Sequence, residues 1–183
     1  MRVTRAALPH LRRTRGARVV FVGSVSGLRA SPYAGVYSAS KHAVEALADA
    51  LRLELLIAKQ HVSVSNVEPA LTATPFLLKQ LRRQQAQLEA PAAANATDDV
   101  YHDCYRRFIG VRAQCFEPPP STEPSGRCHG TQEVVDAIAH AVTATYPKTR
   151  YAVTGVSGMP SWAFAWLVSL GNDRLLDLIT LLF

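Results

Sequence analysis

The sequence predicts an α/β fold with a buried parallel strand feeding an amphipathic helix, and three observations lead there. Arg18-Val19-Val20-Phe21-Val22 is a short β-branched apolar run ending in Gly23-Ser24, the form of a buried strand with a polar residue at its carboxyl end. From Gly35 to Lys59, Ala43, Val44, Ala46, Leu47, Ala50, Leu51, Leu55 and Leu56 recur at the i, i+3, i+4, i+7 spacing of a helix with one apolar face. At 183 residues the chain is long enough for one domain with a real core. In open α/β sheets ligands bind at the carboxyl ends of the strands, so Ser24 and the first turns of the following helix converge on one crevice.

Those first turns carry Tyr37-Ser38-Ala39-Ser40-Lys41, and Tyr37 and Lys41 lie one turn apart on one helix face. Ser24 stands thirteen residues before Tyr37. The chemistry that uses a phenol, an ammonium and a hydroxyl together is proton transfer coupled to hydride transfer at a carbonyl or alcohol. A phenol is a weak acid in water, and a lysine cation within a few ångströms favours its ionised form. Tyr37 is then the general acid/base and Lys41 its tuner. Ser24 is a neutral donor that holds the substrate oxygen in line with the phenol. The hydride comes from a nicotinamide, because no side chain carries one. A bare Tyr-x-x-x-Lys arises by chance about once in three chains of this length, so the strand, the serine and the helix around it carry the specificity.

With these residues in place the chain resembles the short-chain dehydrogenase/reductase family. The resemblance runs from Arg18 to Lys59, through Val-Gly-Ser-Val-Ser-Gly at 22–27 and the Tyr-Ser-Ala-Ser-Lys motif, and continues through His61-Val-Ser-Val-Ser-Asn-Val-Glu-Pro at 61–69. It implies the C-terminal part of a doubly wound, parallel-sheet, Rossmann-like fold with C-terminal apolar helices, and strands near 18–23, 61–67 and 151–154. It implies NAD or NADP as cofactor, with Tyr37 and Lys41 also binding it. In relatives Pro-Gly-x-x-x-Thr follows the second of these strands and touches the nicotinamide and its phosphates. Here the segment is Pro69-Ala70-Leu71-Thr72-Ala73-Thr74, so Pro69, Ala70, Thr72 and Thr74 are the implied cofactor contacts. Ala70 replaces the glycine. If that position needs a positive φ, the methyl group costs about 1 kcal/mol.

Val134 to Val142, followed by Tyr146-Pro147-Lys148-Thr149-Arg150-Tyr151, resembles the retinol, hydroxysteroid and 3-hydroxybutyrate dehydrogenase branch. This implies a lipophilic primary or secondary alcohol, or its carbonyl, as substrate, although one scaffold carries many substrates. The residues from Leu77 to Thr131 resemble the family poorly.

The family's glycine-rich phosphate turn has no counterpart among the ten glycines of this sequence. Met1 to Arg13 reads instead as the helix that precedes the serine-bearing strand in relatives, with Val3, Ala6, Ala7 and Leu11 as its apolar face and Pro9 as a kink. The expectation is therefore a single partial domain over 1–183, whose sheet exposes an edge that invites a partner. Two functions follow. The chain is an NAD(P)-dependent alcohol/carbonyl oxidoreductase, a homo-oligomer when complete, or it is an inactive fragment acting through association with an intact relative.

Composition narrows the classes. There are 20 Lys plus Arg against 14 Asp plus Glu, a net charge of +6, and no acidic residue before Glu45. Arg2, Arg5, Arg12, Arg13, Arg15 and Arg18 suit a mitochondrial transit peptide by composition, but the segment reads better as an internal helix with a basic solvent face. Nucleic-acid binding is not expected, since no aromatic residues interleave with these arginines. No secretory signal is evident. The location expected is intracellular, either cytoplasmic or membrane-associated at the endoplasmic reticulum or mitochondrion.

In the middle of the chain, Thr74 to Gln87 reads as a helix with Phe76, Leu77, Leu78 and Leu81 inward, and residues 117–130 as a Pro-rich loop insert. Cys104, Cys115 and Cys128 are spaced by eleven and thirteen residues, which matches no zinc pattern, so no metal is expected. His42 points about 100° around the helix from Lys41, which suits a surface or packing role. Residues 160–183 form an apolar helical segment interrupted by Gly171-Asn172-Asp173-Arg174. Neither half reaches the roughly 18–20 apolar residues that span a bilayer. The segment either walls the substrate pocket or dimerises, or it lies on a membrane with Trp162 and Trp166 at headgroup depth.

Overall fold

Strand β1 (Arg18–Val22) lies parallel to β2 (Ser63–Pro69), which lies parallel to β3 (Arg150–Val153), with Val20 opposite Ser65 and Val67 opposite Tyr151. This sheet belongs to a computed structural model that describes residues 2–30, 32–89, 99–113, 130–156 and 159–170. The fold is α/β, as the sequence predicts, and it matches part of a Rossmann-like sheet. The helices among the described residues are α1 (Arg2–Leu11), α2 (Gly35–Ile57), α3 (Pro75–Glu89), α4 (Asp99–Ala113), α5 (Gln132–Thr143) and α6 (Ser161–Ser169). A single 3₁₀ turn, Val25–Gly27, joins the end of β1 to the approach of α2.

The chain divides into two compact units, residues 1–70 with 132–183, and residues 71–131. In the first, the period-2 alternation of β2 sends successive side chains to opposite faces. Val62 and Val64 join Ala17, Ala48, Leu51 and Leu55 on the side of α2, and Leu8 and Leu11 of α1 pack against that cluster. Val67 goes to the other side, with Ala137 and Ala141 of α5 and with Tyr151. Helix α1 continues through Pro9 to Leu11, but Val3, expected on its apolar face, stands exposed because only the last turn reaches the core. A short antiparallel pair, β4 (Gly155–Val156) and β5 (Met159–Pro160), leads into α6, on which Trp162 and Trp166 are exposed.

The second unit is built on α3 and α4, joined by Leu77, Leu81 and Ile109, with Leu71, Leu88 and Tyr105 around them. Phe76, expected inward, is exposed, since the buried stripe of α3 runs through Leu77, Leu81 and Gln84 instead. Helix α4 was not among the elements expected from the sequence. It carries Cys104, an exposed free thiol. Residues 90–98, 114–129 and 171–183 lie outside the described residues, and with them the Pro-rich insert up to its last residue, Cys115, Cys128 and the second half of the apolar C-terminal segment. Among the described residues no helix is long and apolar enough to cross a membrane.

Candidate active site

Helix α2 runs back along the sheet, so that its first turns meet the carboxyl ends of the strands and its later turns cover the apolar core. Tyr37, Lys41, Glu45 and Asp49 follow one another at four-residue spacing, which places them in one stripe along the helix. The Lys41 Nζ lies 5.7 Å from the centroid of the Tyr37 ring. The same ammonium donates to the Val22 carbonyl oxygen at 3.1 Å. The helix thus brings the phenol and the ammonium to the last residue of β1, two positions before Ser24.

Ser24 is buried and caps the 3₁₀ turn, its Oγ accepting from the Ser26 amide at 3.2 Å. Its hydroxyl donates to the Pro69 carbonyl at 3.3 Å, which ties the ends of β1 and β2 together. Donation to a substrate oxygen therefore requires the hydroxyl to leave Pro69. The turn lies against α2 at Lys41, for a Cβ added at Gly27 would stand 2.9 Å from the Lys41 carbonyl oxygen. Only a residue without a side chain allows that approach.

Of the residues implied as cofactor contacts, Pro69 is therefore joined to Ser24. Ala70 does not adopt a positive φ, so the methyl group carries none of the strain the sequence allowed for. Its amide donates to the Val153 carbonyl at 3.2 Å and to the Thr154 Oγ1 at 2.9 Å. Thr154 itself has φ +67, rare for a β-branched residue, and its amide is held by Glu133 Oε2 at 3.0 Å. Thr72 and Thr74 fall in the second unit, where the Thr74 carbonyl and hydroxyl accept from the first amides of α3. His42 turns away from the site to contact the Ser38 carbonyl through Nδ1 at 2.9 Å. His140 Nδ1 meets the Tyr151 hydroxyl at 2.8 Å, which fastens α5 to β3.

Directly below the site lies a buried polar cluster that sequence reasoning missed. Asn66 Nδ2 donates to Glu45 Oε1. Arg150 reaches Glu45 Oε2 at 3.2 Å and Asp49 Oδ2 at 2.7 Å through one nitrogen, and approaches Glu68 Oε1 at 3.1 Å with another. The last contact is an ion pair whose N–H does not aim at the oxygen, so both Glu68 oxygens lack a hydrogen-bond donor among the described residues. Three carboxylates around one guanidinium leave negative charge uncompensated. Burial, and then the neighbouring Glu45 carboxylate, push Glu68 up to about 8 against the opposing pull of Arg150. Burial also raises Glu45, with Arg150 the chief opposing influence. The available signals were a glutamate one turn beyond Lys41, and an Asn and a Glu inside an otherwise apolar strand.

A family model of short chain dehydrogenases matches residues 1–86, the part that contains β1, Ser24, Tyr37, Lys41 and β2. Over these residues the chain matches the short-chain dehydrogenase/reductase family. It is 33% identical over 180 residues to an uncharacterized oxidoreductase of Escherichia coli K12, covering 98% of this chain and 52% of the relative. It is 33% identical over 150 residues to retinol dehydrogenase 16 of Mus musculus, covering 82% and 44%. It is 34% identical over 155 residues to the mitochondrial D-beta-hydroxybutyrate dehydrogenase of the same species, covering 82% and 42%. The two mouse relatives, with a 17-beta-hydroxysteroid dehydrogenase type 6 of Bos taurus, carry the names of the branch that residues 134–151 resemble. The chain spans about half the length of the curated relatives it matches.

Proposed function

We propose that this chain carries the proton-transfer group of an NAD(P)-dependent oxidoreductase that interconverts a lipophilic alcohol and its carbonyl. The observation that supports this is the Lys41 ammonium, held between the Tyr37 ring and the carboxyl end of β1 next to Ser24. Tyr37 moves the proton to or from the substrate oxygen, the Lys41 ammonium stands beside its ring, and Ser24 donates to that oxygen and orients it. When bound, the nicotinamide supplies or accepts the hydride. The residues present fit its ribose end, because a lysine head has three donors and Val22 takes one of them. Pro69, Ala70, Thr72 and Thr74 are the further contacts proposed by resemblance. No glycine-rich phosphate turn occurs in these 183 residues.

The lipophilic substrate class rests on relatives whose names specify retinol and a steroid. The exposed Trp162 and Trp166 of α6 suit a peripheral membrane contact for an enzyme of such substrates. A second reading has its own observation. Among the described residues β1 pairs on one side alone, and an open parallel edge takes a strand from a partner. On that reading the chain holds no cofactor and acts with an intact relative. Titration of NADH and NADPH fluorescence with the 183-residue chain separates the two. Saturable quenching supports the oxidoreductase reading, and a flat titration supports the partner reading.

A further inference from the structure

Glu45 and Asn66 have no place in the proton chemistry, yet they touch the turn that carries Ser24. A Cβ added at Gly23 would stand 2.8 Å from Glu45 Oε1 and 2.9 Å from both polar ends of the Asn66 amide. A Cβ at Gly27 would stand 3.0 Å from Glu45 Cγ. The Glu45–Asn66 pair therefore fills the space beneath Gly23 and beside Gly27, on either side of Ser24. The Gly23 amide is bound to the Val67 carbonyl at 2.8 Å, which closes the turn against β2 from the other side.

Neither member of the pair is free to drift. Glu45 belongs to the helix stripe one turn beyond Lys41, and Asn66 sits in the central strand opposite Phe21. Both are almost wholly buried. Arg150 of β3 grips Glu45 and Asp49 from outside, and Glu68 lies beneath. A carboxyl bridging helix and strand under a glycine turn fixes the distance between the two elements that supply Tyr37/Lys41 and Ser24.

We infer that Glu45 and Asn66 are positioning residues, their hydrogen bond locking the Ser24 turn against the Tyr37/Lys41 face of α2 with Arg150 as the clamp. This role rests on the proposed oxidoreductase reading for its purpose, but the geometry is testable without turnover. Amide hydrogen exchange on the full chain reads it through Gly23, Ser26 and Gly27, whose amides bond to Val67, to the Ser24 Oγ and to the Ser24 carbonyl respectively. Glu45→Ala should speed exchange at these three amides by about tenfold or more, with the amides of Leu51 and Val64 within about twofold of wild type. Glu45→Gln keeps the oxygen that accepts from Asn66 but turns an NH2 toward Arg150 in place of Oε2, so its rates should stay closer to wild type than to Glu45→Ala. Should Glu45→Ala not fold, Asn66→Ala removes the same bond from the strand side and should show the same three fast amides.

Unchanged exchange at the turn overturns the inference. So does a uniform rise that includes Leu51 and Val64, or a Glu45→Gln protein as fast as Glu45→Ala. The catalytic reading is tested separately, by cofactor binding and by Tyr37→Phe, so the two fail independently.

Discussion

The two faces of the small parallel sheet are built on opposite principles. Toward α5 the carboxyl half of the sheet is apolar, with Val67, Ala137, Ala141 and Tyr151 packed together, and the polar contacts lie at the other end, where Ser65 donates to the Lys148 carbonyl and Arg18 to Ser63 and the Ala144 carbonyl. Toward α2 the contact is apolar only at the amino ends, where Val62 and Val64 meet Leu51 and Leu55, and at the carboxyl ends it gives way to Glu45, Asn66, Glu68 and Arg150. Burying charge is expensive unless the charges are paired and hydrogen-bonded. The chain accepts that expense on the one face that carries Tyr37, Lys41 and Ser24. Stability alone would have been served by extending the apolar packing, so the polar half of this face is best explained by the precision it gives to the turn above it.

The comparison breaks most sharply at Arg150. Arg150→Met leaves Glu45, Asp49 and Glu68 without their cation, and breaking a buried pair typically destabilises by about 3–5 kcal/mol. The Arg150 side chain is 39% exposed, so water screens part of this and the expected loss lies toward the lower figure. Urea unfolding at neutral pH measures it, and a loss no greater than that of a surface substitution would mean the cluster is not held by this residue.

On the opposite face, Val67→Ala removes two methyl groups from a fully buried site. The expected loss is about 2 kcal/mol, from lost burial and the space left behind. It should vary less from pH 5 to pH 8 than the effects at Arg150 and Glu68, because the cluster around Val67 is Ala137, Ala141 and Tyr151 and contains no carboxylate. A strong pH dependence of the difference would remove the contrast between the faces.

A third variant sharpens the contrast through protons. Glu68 is raised above its ordinary carboxylate value to about 8 in the folded chain, so between those values the folded state binds more protons than the unfolded one. Stability from this group is complete below the ordinary carboxylate range and is lost as pH rises toward 8. Glu68→Gln, which cannot ionise, should flatten that decline in a series of urea titrations across this window. An unchanged slope would show that Glu68 does not titrate there. The smallest effect belongs to Arg52→Ala, which removes a half-exposed contact with Asp49 at 3.4 Å and should change stability by less than about 0.5 kcal/mol.

Much of this architecture was legible in the residues, and the exceptions share a cause. The β-branched run at 18–22 and the helical recurrence from Gly35 gave β1 and α2 to within two residues at their ends, because local periodicity reports burial directly. The Tyr37/Lys41 pairing followed from helix geometry alone. The stripe was not extended to Glu45 and Asp49, because a glutamate in a helix reads as a solvent-facing residue until the strand opposite it is known to carry Asn66 and Glu68. Arg150 comes from a strand more than a hundred residues away along the chain, and no local pattern signals such a partner. Phe76 and Val3 were misplaced for the converse reason, since an apolar residue is buried only where another element covers it. Helix α4 went unread although Val100, Tyr101, Cys104, Tyr105, Phe108 and Ile109 recur at helical spacing, because the alanine-rich and Pro-rich stretches on either side of it carry no such pattern.

The central claim is that Tyr37 transfers the proton, and the most direct measurement compares the wild-type protein with Tyr37→Phe in alcohol-dependent reduction of NAD or NADP, with cofactor affinity measured alongside. The account predicts that the substitution lowers turnover by about 10²–10⁴-fold, the contribution of a positioned acid/base, with cofactor affinity nearly unchanged. Turnover retained by Tyr37→Phe would contradict it.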